Sequence, residues 1–224
     1  MNSSTAQKIL KDVKSSYSAI AADFDVTRNF IWPGFEKFLE YVKPGDKVLD
    51  LGCGNGRLLK LFASVPVDYI GIDNNEKLIE LAKKNYPDDK FLIGDILALP
   101  FPENSFDAIF CIAILHHIPS KQLRQKSLSE IHRVLKPNGI LIMTNWNRYT
   151  FKYLPFLFKF TLLKLVGKSK LDFKDALIPW GKSGVSRYYH YFTLPELRQL
   201  VNQAGFKIIK SDRNKNLVII AKRG

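Results

Sequence analysis

The sequence predicts an α/β fold, one domain built on an open, doubly wound, mostly parallel sheet. Three observations carry this. From residue 46 onward, short apolar runs of strand length alternate with segments whose apolar residues recur at helical spacing. The first run passes directly into a glycine-rich turn, VLDLGCGNG at residues 48–56, and then into a helical pattern, as at the ligand turns of open α/β sheets. Finally, 224 residues at 46% hydrophobic composition suffice to bury such a sheet without disulfides or metals.

Strands are predicted at residues 46–51, 68–73, 90–93, 106–112 and 139–144, with helices at 57–63, 76–85 and 121–135. In the last helix Leu123, Leu128, Ile131 and Leu135 recur at intervals of three to five. After residue 146 the alternation stops. Residues 151–166 form an aromatic, basic amphipathic segment, 193–204 read as a helix, and 206–211 with 216–222 read as a closing hairpin around DRNKN. A final antiparallel pair follows. The chain divides into an N-terminal helical part (1–45), the alternating core (46–145), an insertion or lid (146–192) and a closing helix and hairpin (193–224), with no repeat or low-complexity tract.

The formal charge of +13 is unevenly placed: residues 1–147 carry 18 basic and 17 acidic side chains, a net +1, whereas residues 148–224 carry 16 and 4, a net +12. Such asymmetry fits a polyanion such as RNA or an anionic membrane surface, and equally a need for solubility. Cys53 and Cys111 give no metal-ligand spacing and read as buried thiols in a reducing compartment. No apolar run resembles a secretion signal or reaches the roughly 20 residues that span a bilayer. The expectation is a soluble, cytoplasmic protein with no metal.

In the glycine turn, Gly52, Gly54 and Gly56 let backbone approach a ligand closely, and the turn is expected to aim helix-terminal N–H groups at it. A dinucleotide site would place a further glycine where Arg57 stands. Asp50, at the strand end, would repel a pyrophosphate but suits a ligand carrying ammonium and sulfonium groups, which describes S-adenosylmethionine. Asp73 ends the second strand 23 residues later and can accept from ribose hydroxyls, a spacing that would also serve NAD. Asp95 after the third strand can accept from an adenine amino group, with Ile96 against the ring. Each carboxylate alone is more often a cap or turn residue; all three at carboxyl ends beside the switch point favour a ligand site.

DLGCGNG, IGIDNN, GDILALPFPENSFDAIFCIAILHH and EIHRVLKPNGILIM resemble the successive motifs of class I S-adenosylmethionine-dependent methyltransferases, over residues 46–145. The resemblance implies a Rossmann-like seven-stranded sheet with the seventh strand antiparallel. It also implies that Asn74 and Ile112, beside the ends of the second and fourth strands, contact the cofactor. A narrower resemblance flanks the core. Tyr17, Ile20, Ala21, Phe24, Thr27, Arg28, Trp32 and Pro33, then Pro179, Trp180, Arg187, Tyr188, Tyr189 and His190, match in order the segments of the eukaryotic tRNA wobble-uridine carboxymethyl methyltransferases. That family implies tRNA as substrate and a small zinc-binding activator protein as partner.

Esterifying a carboxylate at a sulfonium methyl needs no strong base; it needs an aligned oxygen in a dry site. Arg28 and Arg187 are the candidates to hold that carboxylate by bidentate bonding. His116, after the fourth strand, is placed to hydrogen-bond the uracil or carboxylate, with Tyr188 beside the reaction, while Tyr189, Trp146 and Trp180 are candidates to stack on bases. Core packing is the competing role for each. Rival functions are methylation of a small quinone or lipid precursor, and a non-catalytic adenosylmethionine-binding RNA partner. Residues 151–166 match neither family and read as a lid, a membrane-surface helix or a partner-binding face.

Overall fold

The computed structural model describes residues 1–181 and 183–224; Lys182, within the expected lid, lies outside them. The predicted strands appear as β1 (Lys47–Leu51), β2 (Asp68–Asp73), β3 (Lys90–Ile93), β4 (Phe106–Ile112) and β5 (Leu135–Trp146). With the closing β8 (Phe206–Arg213) and β9 (Asn216–Arg223) they form one seven-stranded sheet in the order β3-β2-β1-β4-β5-β9-β8. The first five pair in parallel. β9 runs antiparallel between β5 and β8, so the last strand in sequence is inserted and β8 forms the edge.

Period-2 alternation divides the core. Leu49 and Leu51 of β1 join Ile70, Ile109 and Met143 on one face, covered by α4 (Lys121–Val134) and α6 (Leu194–Gln203). Val48 joins Phe110, Ile142 and Ile220 on the other, with Ile79 of α3 (Glu76–Asn85) and Phe62. Asp50 falls on the Val48 side, beneath the turn. Order reverses between β1 and β4, and the crevice opens at the carboxyl ends there, as the fold requires.

Three elements differ from expectation. Residues 57–64 form a 3-10 helix, entered through Gly56 at φ 80°. β5 begins at Leu135, four residues early, because Leu135 pairs with Phe106 before the register shifts. The third difference is an unpredicted hairpin of β6 (Asp175–Pro179) and β7 (Ser186–His190), a separate two-stranded sheet. Its sequence does not alternate apolar with polar, since both faces are covered. Arg187 and Tyr189 point to one side and Tyr188 and His190 to the other. His190 fastens the second side: Nδ1 lies 2.7 Å from Asp175 Oδ1 and Nε2 lies 2.8 Å from Glu196 Oε1 of α6.

The N-terminal part supplies α1 (Ser3–Ala19) and α2 (Ala21–Thr27), packed over the crevice. Residues 151–166 contain α5 (Leu154–Leu165), none of whose residues is fully buried. No described helix is long and apolar enough to cross a membrane, and no described group of three His, Cys, Asp or Glu could hold a metal.

Gly56 serves packing. A Cβ there would sit 2.8 Å from the buried Phe91 ring, at a positive φ that costs any L-residue. Gly56→Ala is therefore expected to lower unfolding free energy by about 2–4 kcal/mol in urea denaturation. Wild-type stability would remove this reading of the turn.

Candidate active site

The crevice is a cleft of about 150 Å³ lined at one end by the β1, β2 and β4 termini and at the other by α1, α2 and the β6–β7 hairpin. At the sheet end the predicted cofactor residues Asp50, Gly52, Gly54, Asp73, Asn74, Ile96 and Ile112 all line it. Asp50 is buried and accepts a hydrogen bond from the Tyr69 hydroxyl at 2.7 Å. Burial pushes its carboxyl up to about 7, against the opposing pull of Tyr69 and Arg57. Such a group favours a cation that would hold it ionised.

Asp73 plays two parts. Oδ2 accepts from the Gly54 amide at 3.0 Å and Oδ1 from the Asn75 amide at 2.9 Å, leaving further lone pairs for a ligand diol. The amides of Gly52 and Cys53 both donate to Ile72 O. With the Gly54 amide on Asp73, the first three N–H groups of the turn are thus spent on β2 rather than aimed at a ligand. The glycines instead provide clearance: at Gly52, φ 75°, a Cβ would lie 2.2 Å from Ile114 Cδ1. Asp95 does not line the cleft, although Gly94 and Ile96 on either side do. It is exposed, and its Oδ1 caps the Leu97 amide at 2.9 Å. Gly56 also lies away from the cleft, against Phe91 and Tyr86.

Arg28 and Arg187, 159 positions apart, both line the other end. Their guanidinium carbons lie 5.1 and 4.3 Å from the Trp180 ring centroid. Arg187 also donates to the Tyr17 hydroxyl at 3.0 Å, and Tyr17 lies 2.8 Å from His117 Nε2. The polarity of this chain is fixed. His117 Nδ1 lies 2.8 Å from the Tyr188 carbonyl, which can only accept, so Nδ1 carries the proton and Nε2 accepts from Tyr17. Burial, then the Arg187 charge, brings His117 down to about 3, so it stays neutral. The Tyr17 oxygen is left to receive Arg187, whose orientation is set from below.

His116 lines the cleft stacked on Tyr189, centroids 5.2 Å apart and planes 13° apart. Asn145 Oδ1 takes the His116 backbone amide at 3.1 Å and lies 3.2 Å from Nδ1, leaving Nε2 as a neutral acceptor. Burial and the neighbouring His117 push its pKa well below the usual range. An acceptor suits the N–H of a base and does not suit a carboxylate. Tyr188 is misplaced by the sequence reading: on the opposite side of β7, it packs with Ile9 and Leu171 and does not line the cleft. Tyr189, on the Arg187 side of β7, is fully buried and does not line the cleft either; it backs the His116 ring, so the stacking on bases expected of it is not available.

Sequence reasoning also passed over Arg57 and Asn75. Arg57 lies 4.3 Å over the Trp32 ring, with Nη1 buried and without a protein partner, and burial then Arg28 lower it to about 10. Asn75 is 1% exposed; its Oδ1 caps Leu78 of α3, while its Nδ2 donates to Lys14 O and Ser18 Oγ of α1 at 2.9 Å each. The signal for Arg57 was its departure from the dinucleotide glycine pattern. Asn75 offered only an N-cap signal.

This sheet, with its glycine clearance and strand-end carboxylates, defines an enzyme of the S-adenosylmethionine-dependent methyltransferase class, and comparison with known proteins agrees. Residues 49–143 match the family model described as a methyltransferase domain. The Schizosaccharomyces pombe tRNA (carboxymethyluridine(34)-5-O)-methyltransferase is 32% identical over 94% of this chain and 96% of its own length. The chain belongs to the methyltransferase family that includes that protein. It spans only about a third of the length of several longer relatives, 34% of one from Arabidopsis thaliana. Among solved structures, a SAM-dependent methyltransferase of Methanosarcina mazei superposes with TM-score 0.74 at 24% identity, covering 86% of this chain and 98% of that one. A chain in the complex of the Haloferax volcanii Trm112 methyltransferase activator with a putative methyltransferase gives 0.64 at 18% identity, covering 94% and 96%.

We propose that Asp50, whose carboxyl no ion pair holds among the described residues, lies toward the cationic end of adenosylmethionine and Asp73 toward its ribose. Since the ligand selects the ionised form of a carboxyl held near pH 7, affinity should rise with pH through that value. Calorimetry at pH 6 and 8 is expected to show roughly tenfold tighter binding at the higher pH. Asp50→Asn should bind weakly and abolish the dependence. Equal affinity at both pH values in the wild type would reject Asp50 as a ligand.

Proposed function

We propose that this chain methylates the carboxylate of a carboxymethyl-type uridine at the wobble position of tRNA, in the cytoplasm. The observation that carries the reading is the charge of the acceptor end. Arg28 and Arg187 line it, Arg148 lies buried behind Trp146 and Tyr189, and none of the three pairs with a carboxylate among the described residues. Buried or half-buried guanidinium groups without counter-ions call for an anionic ligand. The Arg187 Nε is buried and partnerless as well.

When bound, adenosylmethionine supplies an electrophilic methyl, and its transfer to a carboxylate oxygen leaves a neutral ester and a neutral thioether. The protein's share is alignment. Arg187, held by Tyr17, presents a pre-oriented fork, and Arg28 lies against the same Trp180 ring. Two cations also stabilise the attacking carboxylate in its ground state, so orientation must outweigh lost nucleophilicity. His116 Nε2 provides an acceptor for a base N–H, and Trp146 and Trp180 provide ring faces within the cleft. The names of the curated relatives support the tRNA acceptor, and the net +12 of residues 148–224 supports a polyanion. A small zinc-binding activator is proposed as partner by the same family likeness. The β3 edge, where Leu92 and Ile93 are exposed, is open to one.

Mass spectrometry of tRNA nucleosides from a deletion strain should show loss of the methyl ester and accumulation of the free acid. Unchanged tRNA would favour a small-molecule acceptor.

In single-turnover methylation of carboxymethyl-bearing tRNA, Arg187→Lys, which keeps charge and loses the fork, should be slower by about two orders of magnitude. Tyr17→Phe should fall part of the way, with adenosylmethionine affinity unchanged in both. Wild-type rates would reject the arginine clamp, while parallel loss of cofactor binding would assign these residues to the fold.

Affinity for tRNA should also decrease steeply with salt, each phosphate contact adding about 0.9 or less to the log–log slope. Filter binding that is independent of salt would leave the basic surface without an RNA role.

A further inference from the structure

α5 turns two unlike faces outward and inward. Inward, Phe156, Leu157 and Phe160 pack with Tyr153 on Ala176, Ile178, Tyr189 and Tyr191. Outward, Phe158, Leu162 and Leu165 are 69%, 62% and 68% exposed, and Phe151 before the helix and Val166 after it are 97% and 56% exposed. The spacing of four and three residues from Phe158 to Leu165 puts those three on one stripe, and Phe151 stands seven residues before Phe158. A stripe of large apolar side chains in water is not a folding requirement; it marks a surface that meets something.

The charge around the stripe says what. Lys159 and Lys164 lie on opposite flanks of it at 100° per residue, Lys152 precedes the helix, and Lys168 and Lys170 follow it. No Asp or Glu occurs between Glu130 and Asp172. An apolar centre with cationic margins and no acid matches an anionic lipid surface: the rings and branched chains enter the boundary of the acyl region while the lysine stems carry their ammonium groups up to the headgroups. A polynucleotide would satisfy the lysines but has no use for Leu162, Leu165 and Val166.

We propose that α5 docks this protein, peripherally and reversibly, on anionic membrane surfaces. At 12 residues and with charged margins the helix lies in the interface and does not span it. Because its inner face packs on the hairpin that carries Arg187, the docked surface and the acceptor end of the cleft belong to one structural unit.

The test is sedimentation of the full chain with vesicles of phosphatidylcholine alone and of phosphatidylcholine with about one third phosphatidylserine. The protein should pellet with the anionic vesicles only and be released by salt. Phe158→Ser/Leu162→Ser should reduce partitioning at least about tenfold, and Lys159→Gln/Lys164→Gln by about tenfold or more. Adenosylmethionine affinity and thermal melting should be unchanged in both, since these side chains are outside the core and cleft. No binding to anionic vesicles, or binding that Phe158→Ser/Leu162→Ser retains, overturns the proposal. So does loss of tRNA binding or of self-association in that variant without vesicle binding, which would assign the stripe to RNA or to a second copy.

Discussion

Asn75 joins the two halves of the candidate active site. The cofactor half is built on the ends of β1 and β2, where the Asp73 carboxylate ties the Gly54 turn to the amide of Asn75. The Asn75 side chain then starts α3 and bonds α1 at Lys14 and Ser18, on either side of Tyr17 along the chain. Tyr17 in turn holds Arg187 and leans on His117. A continuous path of hydrogen bonds and helix backbone therefore leads from the Asp73 carboxylate to the Arg187 guanidinium. In-line transfer needs the reacting groups placed to within fractions of an ångström. A sheet end and a separate hairpin would not keep that relation through apolar packing alone, because packing is less directional than hydrogen bonding.

The electrostatics divide along the same line. At the sheet end burial pushes Asp50 and Asp73 up, against the weaker pull of Arg57 on the first and Lys14 on the second. At the other end Arg28 and Arg187 lie without an ion-paired acid among the described residues, and burial and Arg187 push Arg28 down. Each arrangement costs stability in the empty protein, and each is relieved by a ligand of the opposite charge. The two neutral histidines between them keep the middle of the cleft free of charge, which is the condition a charge-cancelling reaction prefers.

Much of this was legible before any coordinates. The parallel strands were visible because strands buried on both faces read as unbroken apolar runs, and Asp50, Gly52, Gly54 and Asp73 because a glycine turn after such a run has few other uses. Arg28 and Arg187 were reached through their neighbours in flanking motifs. What stayed hidden depended on partners distant in sequence. β7 has polar and aromatic residues on both sides because its second side meets α6 and α1, so no alternation announces it, and the burial of both Tyr188 and Tyr189 stays hidden. The occupied amides of Gly52 and Cys53 could not be foreseen either, since their partner, the Ile72 carbonyl, belongs to another strand.

The two-sidedness of β7 bears on how such an enzyme can change. Arg187 lines the cleft with Tyr189 packed on the same side of the strand, and His190, one residue on, is bonded to Asp175 and Glu196 on the far side. Inserting or deleting one residue between the β6–β7 turn and Arg187 would exchange the sides, burying the arginine where a fastening histidine should be. Variation that preserves this arrangement therefore replaces side chains within a fixed register, while changes of length fall outside β6 and β7. The hairpin behaves as a keyed part whose teeth can be recut but whose count cannot change.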